Sequence, residues 1–182
     1  MDQLRVRNKE IRRVRVADIL DNPANARTHP DPQVQAFGGT VDELGWVGYP
    51  DVFEHPDYPG QYMLSDGHLR RSWLAEHYGF ESEIEVNLTD LTPDEAKFAI
   101  ATKDTIAAMA QYDTGKLDQL LREINTGSQA VADMLEAMAE EHGLLAGVVA
   151  GPDDFKQLGE DIETEFRCPK CGYEWSGSPK PE

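Results

Sequence analysis

Cysteine is almost missing from this chain: 2 residues in 182, both in a single Cys-x-x-Cys. A disulfide framework is thereby excluded, and a bridge inside Cys-x-x-Cys would close a loop too short to stabilise much. Long hydrophobic runs are also missing. None reaches the roughly 18 residues of a membrane-spanning helix. The first residues, Met1-Asp2-Gln3-Leu4-Arg5-Val6-Arg7, lack the apolar core of a secretory signal, so a cytoplasmic location is expected. Basic residues are scarce, with 17 Lys and Arg against 34 Asp and Glu and a net charge of −17. Affinity for nucleic acid in general comes from cations that neutralise phosphates, so most of this surface repels it. The remaining composition is ordinary for a globular chain, 40% hydrophobic and 28% charged. The length allows one domain with a real core, plus appendages.

The basic residues are unevenly placed. Residues 1–16 hold Arg5, Arg7, Lys9, Arg12, Arg13 and Arg15 against Asp2 and Glu10, a local charge of +4. A short basic arm on an acidic body can touch DNA or an acidic partner. The plainer reading is a strand with a basic outer face.

One stretch organises the rest: Tyr62-Met63-Leu64-Ser65-Asp66-Gly67-His68-Leu69-Arg70-Arg71-Ser72-Trp73-Leu74-Ala75. Its short apolar start follows the Pro59-Gly60 turn signal and reads as a strand. Asp66-Gly67 makes a tight turn, where Gly67 tolerates strained backbone and close approach. Leu69, Trp73, Leu74 and His77 then recur at helical spacing up to Gly79. The first amides of such a helix lack intrahelical partners, and its dipole attracts anions. With His68, Arg70 and Arg71 in the same turn, the residues describe a phosphate site. The competing reading is an ordinary strand-turn-helix junction with solvated arginines.

Around this centre the pattern alternates between strands and helices. Ile11 to Ile19 alternates apolar and basic residues and reads as a half-buried strand. Asp21-Asn22-Pro23 is a turn, and residues 25–32 form a polar loop carrying Arg27 and His29. Val34, Phe37, Val41 and Leu44 mark an amphipathic helix that stops at Gly45. Gly38-Gly39 inside it costs about 1 kcal/mol per glycine relative to Ala. Either a close packing partner or a helix start nearer Thr40 accounts for the pair. Residues 49–54 and 82–88 read as strands. Thr92-Pro93-Asp94-Glu95 starts a helix running to about Met109. From Gly115 to Leu144 two helical faces flank a break at Asn125-Thr126-Gly127-Ser128. Asp133, Glu136, Glu140 and Glu141 on the second helix oppose a DNA-reading helix-turn-helix, so the pair reads as an αα-hairpin with its methionines as core filler.

Several of these stretches, in order, resemble the N-terminal domain of ParB, in the wider ParB/sulfiredoxin superfamily. Asp66-Gly67-His68-x-Arg70 after a strand is similar to the family signature. Residues 22–29 (Asn-Pro-Ala-Asn-Ala-Arg-Thr-His) with Gln35 resemble its first box. Gly45-Trp46 followed by Pro50 resembles its second, and residues 91–96 the lead into its last helix. The resemblance covers about residues 12–115 and implies a small mixed α/β sheet with flanking helices, here extended by a C-terminal helical hairpin. It implies a nucleotide- or phosphate-binding module of phage or plasmid DNA metabolism, with phosphoryl-transfer or nuclease chemistry within the class. Gly67, His68, Arg70, Arg71, Asn25 and Arg27 would hold the phosphates of a nucleoside triphosphate with Mg. Asp66 and His68 would be the catalytic pair. Asp104 falls where relatives carry a nucleotide and metal contact, but Thr102-Lys103-Asp104 lacks the Asn of that box. Read from the residues alone, Arg27 is a surface charge and Asp104 an exposed helical carboxylate. Sulfiredoxin chemistry is excluded, since it needs a cysteine in the turn and residues 64–71 contain none.

The organisation that follows is a domain over residues 1–112, a helical extension over 113–145, an acidic linker over 146–165 and a tail over 166–182. In the tail, Cys168-Pro169-Lys170-Cys171-Gly172 resembles one knuckle of a zinc ribbon. Cys168 and Cys171 supply two of four ligands. A histidine, a second chain in a homodimer, or a partner would supply the rest, and an orphaned pair is the alternative. The second functional expectation is non-enzymatic: an adaptor that binds a DNA-processing protein such as a methyltransferase or terminase.

Overall fold

The computed structural model describes residues 3–144, 166–167, 170 and 174–175. Residues 1–148 form one compact unit and 149–182 another. In the second unit Phe166 pairs with Trp175 and Arg167 with Glu174 in a short antiparallel ladder. Cys168 and Cys171 lie outside the described residues.

The first unit is built on a five-stranded mixed sheet. Its strands are β1 (Asn8–Arg15), β2 (Ile19–Leu20), β3 (Asp51–Glu54), β4 (Tyr62–Asp66) and β5 (Glu83–Thr89), in the order β1-β5-β3-β4-β2. β1 runs antiparallel to β5, and β4 antiparallel to β3. The pairs β3–β5 and β2–β4 are parallel. Side chains alternate across the pleat, so each strand feeds two cores. Val52, Leu64, Ile84, Val86 and Leu88 pack with Leu74, Val14, Val16 and Ile19 on one face. Phe53 and Met63 pack with Ala96 on the other. The helices α2 (His68–Tyr78) and α3 (Pro93–Ala108) therefore cover opposite faces. This is the expected α/β arrangement, and no helix among the described residues is long and apolar enough to cross a membrane.

The expected strand from Ile11 to Ile19 is interrupted. It ends at Arg15, a turn of 3-10 helix covers Val16–Asp18, and β2 joins the opposite edge of the sheet. The reason lies in Val16 and Ile19, both fully buried in the same core. They are three residues apart, and a strand would send them to opposite faces. The 3-10 turn, held by Val16 and Ala17 amides donating to Ser82 and Phe80 carbonyls (both 2.9 Å), turns them to one side.

The helix α1 (Asp31–Leu44) runs through Gly38-Gly39 without a break, which settles that pair in favour of close packing. A Cβ on Gly38 would lie 3.1 Å from the Trp73 indole nitrogen. One on Gly39 would lie 2.8 Å from Ser128 Cβ and 3.1 Å from Val131. These contacts seat α1 against α2 and against α5 (Gln129–Glu141). With α4 (Thr114–Glu123), α5 forms the expected helical hairpin around Leu117, Leu121, Val131, Leu135 and Ala139. Met138 joins this core, whereas Met134 is 47% exposed and is not filler. The hairpin docks through Glu43 of α1, which accepts from Thr126 Oγ1 (2.6 Å) and the Gly127 and Ser128 amides (2.7 and 3.1 Å). Those bonds hold the Glu43 carboxyl below its ordinary range, the Thr126 hydroxyl contributing most.

Candidate phosphate-binding site

β4 ends at Asp66 and α2 begins at His68, so Gly67 alone makes the turn. Its φ of 93° is left-handed. A Cβ there would come within 3.0 Å of Pro50 Cβ and 3.1 Å of Pro50 Cα. Glycine is thus required twice, by conformation and by the close approach of the segment before β3. Gly67 also has no side chain with which to cap α2. The first helical bond is Arg71 N–H to Gly67 O, 3.0 Å. The amides of His68, Leu69 and Arg70 are left without intrahelical acceptors at the positive end of the helix dipole.

A cleft of about 230 Å³ opens in front of these amides. Ser65 to Arg70 form one wall, Asn25, Arg27, His29 and Gln33 a second, and Ala99, Ile100, Lys103 and Asp104 of α3 a third. Seven of the residues singled out in the sequence therefore meet here: Asn25, Arg27, Asp66, Gly67, His68, Arg70 and Asp104. Arg71 does not. Its guanidinium pairs with Asp21 (3.3 Å) and lies over the Phe80 ring (5.3 Å).

The polar loop of residues 22–29 is pinned by Asn22, which is 6% exposed. Asn22 Nδ2 donates to Leu64 O (2.9 Å), its Oδ1 accepts from the Ala24 amide (3.0 Å), and its own amide donates to His68 Nε2 (3.2 Å). His68 Nε2 is thus an acceptor, and the ring is neutral with its proton on Nδ1. Burial disfavours the imidazolium and lowers the His68 pKa, against the opposing pull of Asp21 and Asp66. In this geometry His68 joins the loop to α2. Asn25 Oδ1 accepts from the Arg27 amide (3.3 Å) and shapes the same loop.

The charges are arranged in pairs. Arg27 is ion-paired with Asp104, which ties the loop to α3. Lys103 pairs with Asp51 and lies 3.6 Å from Asp66. Asp51 is steadied in turn by Asn87 Nδ2 (2.7 Å). Arg70 makes no hydrogen bond or ion pair among the described residues. It borders Gly48, whose Cβ position would lie 3.8 Å from Arg70 Nη2. His29 Nδ1 contacts Gln33 Oε1 (3.0 Å), and its buried Nε2 has no partner among the described residues. The arrangement can receive a group carrying several anionic oxygens: three cations and three amides converge on it. Among the described residues, no group of three or more His, Cys, Asp or Glu side chains is spaced to hold a metal ion.

Sequence reasoning missed Lys103, His29, Gln33 and Ser65 as wall residues, and Asn22 and Pro50 as supports. Lys103 and Ser65 were legible in part, since each adjoins a residue already singled out, Asp104 and Asp66 respectively. The others depend on contacts between distant segments. Volume would have pointed elsewhere. A larger cleft of about 680 Å³ lies between α1, α2 and β5, lined by Trp46, Tyr49, Trp73 and Tyr78. It lacks the convergent cations and helix amides of the smaller cleft.

No protein-family model and no curated protein matches this chain. Solved structures do. C-terminally truncated chromosome-partitioning protein ParB from Caulobacter crescentus, complexed with CTP-gamma-S, is 19% identical with a TM-score of 0.51, over 72% of this chain and 79% of that one. A Pnob8-like ParB-N domain is 16% identical with a TM-score of 0.41, over 72% of this chain and 47% of that one. At such identity the likeness is one of fold: the five-stranded mixed sheet with its helices is a ParB-like α/β arrangement.

Proposed function

We propose that the chain is a ParB-like module that binds a nucleotide through its phosphates at the N-terminus of α2. The observation that carries this reading is the convergence of Arg27, Arg70 and Lys103 on the uncapped first turn of that helix. The cleft has room for a polyphosphate but not for an enclosed nucleoside, so the base would lie at its mouth. CTP is the first nucleotide to test, because the ParB of similar fold is complexed with CTP-gamma-S. Mg would arrive with the triphosphate and take ligands from phosphate oxygens and water, with Asp66 and Asp104 the nearest carboxylates. Arg27 and Lys103 would exchange their carboxylate partners for phosphate on binding. Asp66 is the candidate base or metal contact for phosphoryl-transfer or nuclease chemistry, and His68 the positioning group beside it. The setting is DNA metabolism of the phage or plasmid kind.

A second reading is favoured by the same ion pairs. Every pocket cation except Arg70 already has a carboxylate partner, and the chain carries −17. A non-enzymatic adaptor, holding a methyltransferase- or terminase-like partner, would leave those pairs intact. Cys168 and Cys171 would then serve as half of a zinc site completed by a second chain or by the partner. Calorimetric titration of CTP, ATP and GTP with Mg separates the two readings. Saturable binding of one nucleotide supports the first, and no heat with any of them supports the second.

A further inference from the structure

The cleft between α1, α2 and β5 is unexplained by the phosphate site. Its floor is an aromatic cluster. Trp73 is buried, and Phe37 stands edge-on to both Trp46 (6.1 Å) and Trp73 (5.6 Å). Tyr78, 6.0 Å from Trp73, is 65% exposed, and Tyr49 is 45% exposed. A second hollow of about 690 Å³ shares Asp42, Trp73 and Tyr78 with the first, so the two form one groove along α1 and α2. Leu44 and Val47, 72% and 69% exposed, extend the apolar surface at the end of α1. Together the two hollows exceed an ordinary small-ligand pocket.

The rim has a definite charge. Asp42, Glu76, Glu83 and Glu85 line the groove, and among the described residues none of them is hydrogen-bonded or ion-paired through its side chain. The facing cations are Arg13, opposite Glu85 in the β1–β5 register, and Arg70, whose Nη2 lies 3.8 Å from the Cβ position of Gly48 in the groove wall. Four carboxylates repel phosphates, which excludes nucleic acid and anionic membrane as occupants. A second copy brings its own −17, and its basic N-terminal arm has Arg7 already bound to Asp90 and Glu95. The complementary occupant is cationic and apolar at once. Lysine or arginine would lie over the open tyrosine faces and against the carboxylates, while an aliphatic or aromatic side chain fills the floor.

We propose that the aromatic groove between α1, α2 and β5 is a docking site for a basic, apolar-anchored peptide segment of another protein. It uses none of the pocket residues, so it stands or falls apart from the nucleotide reading. The test is selection of a random peptide library displayed on phage against the immobilised full chain. The best peptide is then synthesised and its binding followed by fluorescence anisotropy. The expected result is enrichment of sequences combining Lys or Arg with Leu, Phe or Trp. Affinity should fall about tenfold in Tyr78→Ala and in the double variant Glu83→Gln/Glu85→Gln, and stay unchanged in Arg27→Ala. Far-ultraviolet circular dichroism checks that each variant is folded. The exposure of Tyr78 makes its loss tolerable. Four results would overturn the proposal: no enriched peptide, enriched peptides without basic residues, equal binding by the groove variants, or a wild-type dimer that Tyr78→Ala turns into a monomer.

Discussion

The helix α2 serves two surfaces of opposite character. Its first turn, with Gly67, His68 and Arg70, faces a narrow polar cleft where cations and amides converge. Its later residues Trp73 and Tyr78 face a groove about three times larger, aromatic at the floor and acidic at the rim. The first surface is ordered by a network that reaches across three segments: Asn22 to β4, Asn22 to His68, and Arg27 to Asp104. The second is shaped by packing, through Gly38 under Trp73 and Phe37 against two tryptophans. Specificity for a small anionic group needs fixed donors, whereas a peptide groove needs area and charge of the right sign. The contrast makes the two regions separable by mutation.

The largest effect expected is at Gly67. Gly67→Ala forces a Cβ onto Pro50 and onto a left-handed φ, and should cost about 1–3 kcal/mol and abolish nucleotide binding. Urea denaturation and calorimetry measure the two consequences. Next is Gly39→Ala, where the new methyl meets Ser128 and Val131. Overpacking there should cost about 1–3 kcal/mol, yet leave nucleotide affinity within twofold, because the pocket does not touch this contact. Loss of pocket function in Gly39→Ala would mean that the hairpin and the pocket are coupled.

Acid should act on both regions in sequence. The His68 pKa is lowered in the folded chain, so the unfolded chain takes up its proton first as pH falls. The contribution is complete above the unfolded value of about 6.5 and is lost below it. Glu43 and Glu95 are also lowered, by the Thr126 hydroxyl and by Arg7 respectively. Their contributions are complete above the unfolded value of about 4.3 and are lost at lower pH. Thermal melts should therefore show a first decline below neutrality that His68→Gln removes, and a second in the acid range that Glu43→Gln reduces. The smallest effect is reserved for Tyr78→Ala, with stability within about 0.5 kcal/mol of wild type. Nucleotide affinity should be unchanged in the same protein.

Much of the fold was legible before the structure because local signals agreed. The Thr92 cap with Glu95 three residues on forms a full capping box, and Ser128 accepts from the Val131 amide at the start of α5. The Gly67 turn was legible for a similar reason, since few residues but glycine stand between a strand and a helix with Arg close behind. What escaped was long-range. Nothing local in Lys103 shows that Asp51 and Asp66 face it. Nothing in Glu43 shows that it will receive the turn 83 to 85 residues later. Arg71 was misplaced by one residue of helix rotation, since about 100° separates it from Arg70. The signal that ends β1 before Val16 was present, as the three-residue spacing of Val16 and Ile19, but it is drowned by the alternation that precedes it.

The central claim is that Arg70, unpaired among the described residues, completes a phosphate site on the first turn of α2. The most direct test is calorimetric titration of CTP with Mg into wild type and Arg70→Ala at matched thermal stability. The account predicts saturable binding in wild type and a loss of about tenfold or more in the variant. Equal affinity in the two proteins would contradict it and place any nucleotide away from α2.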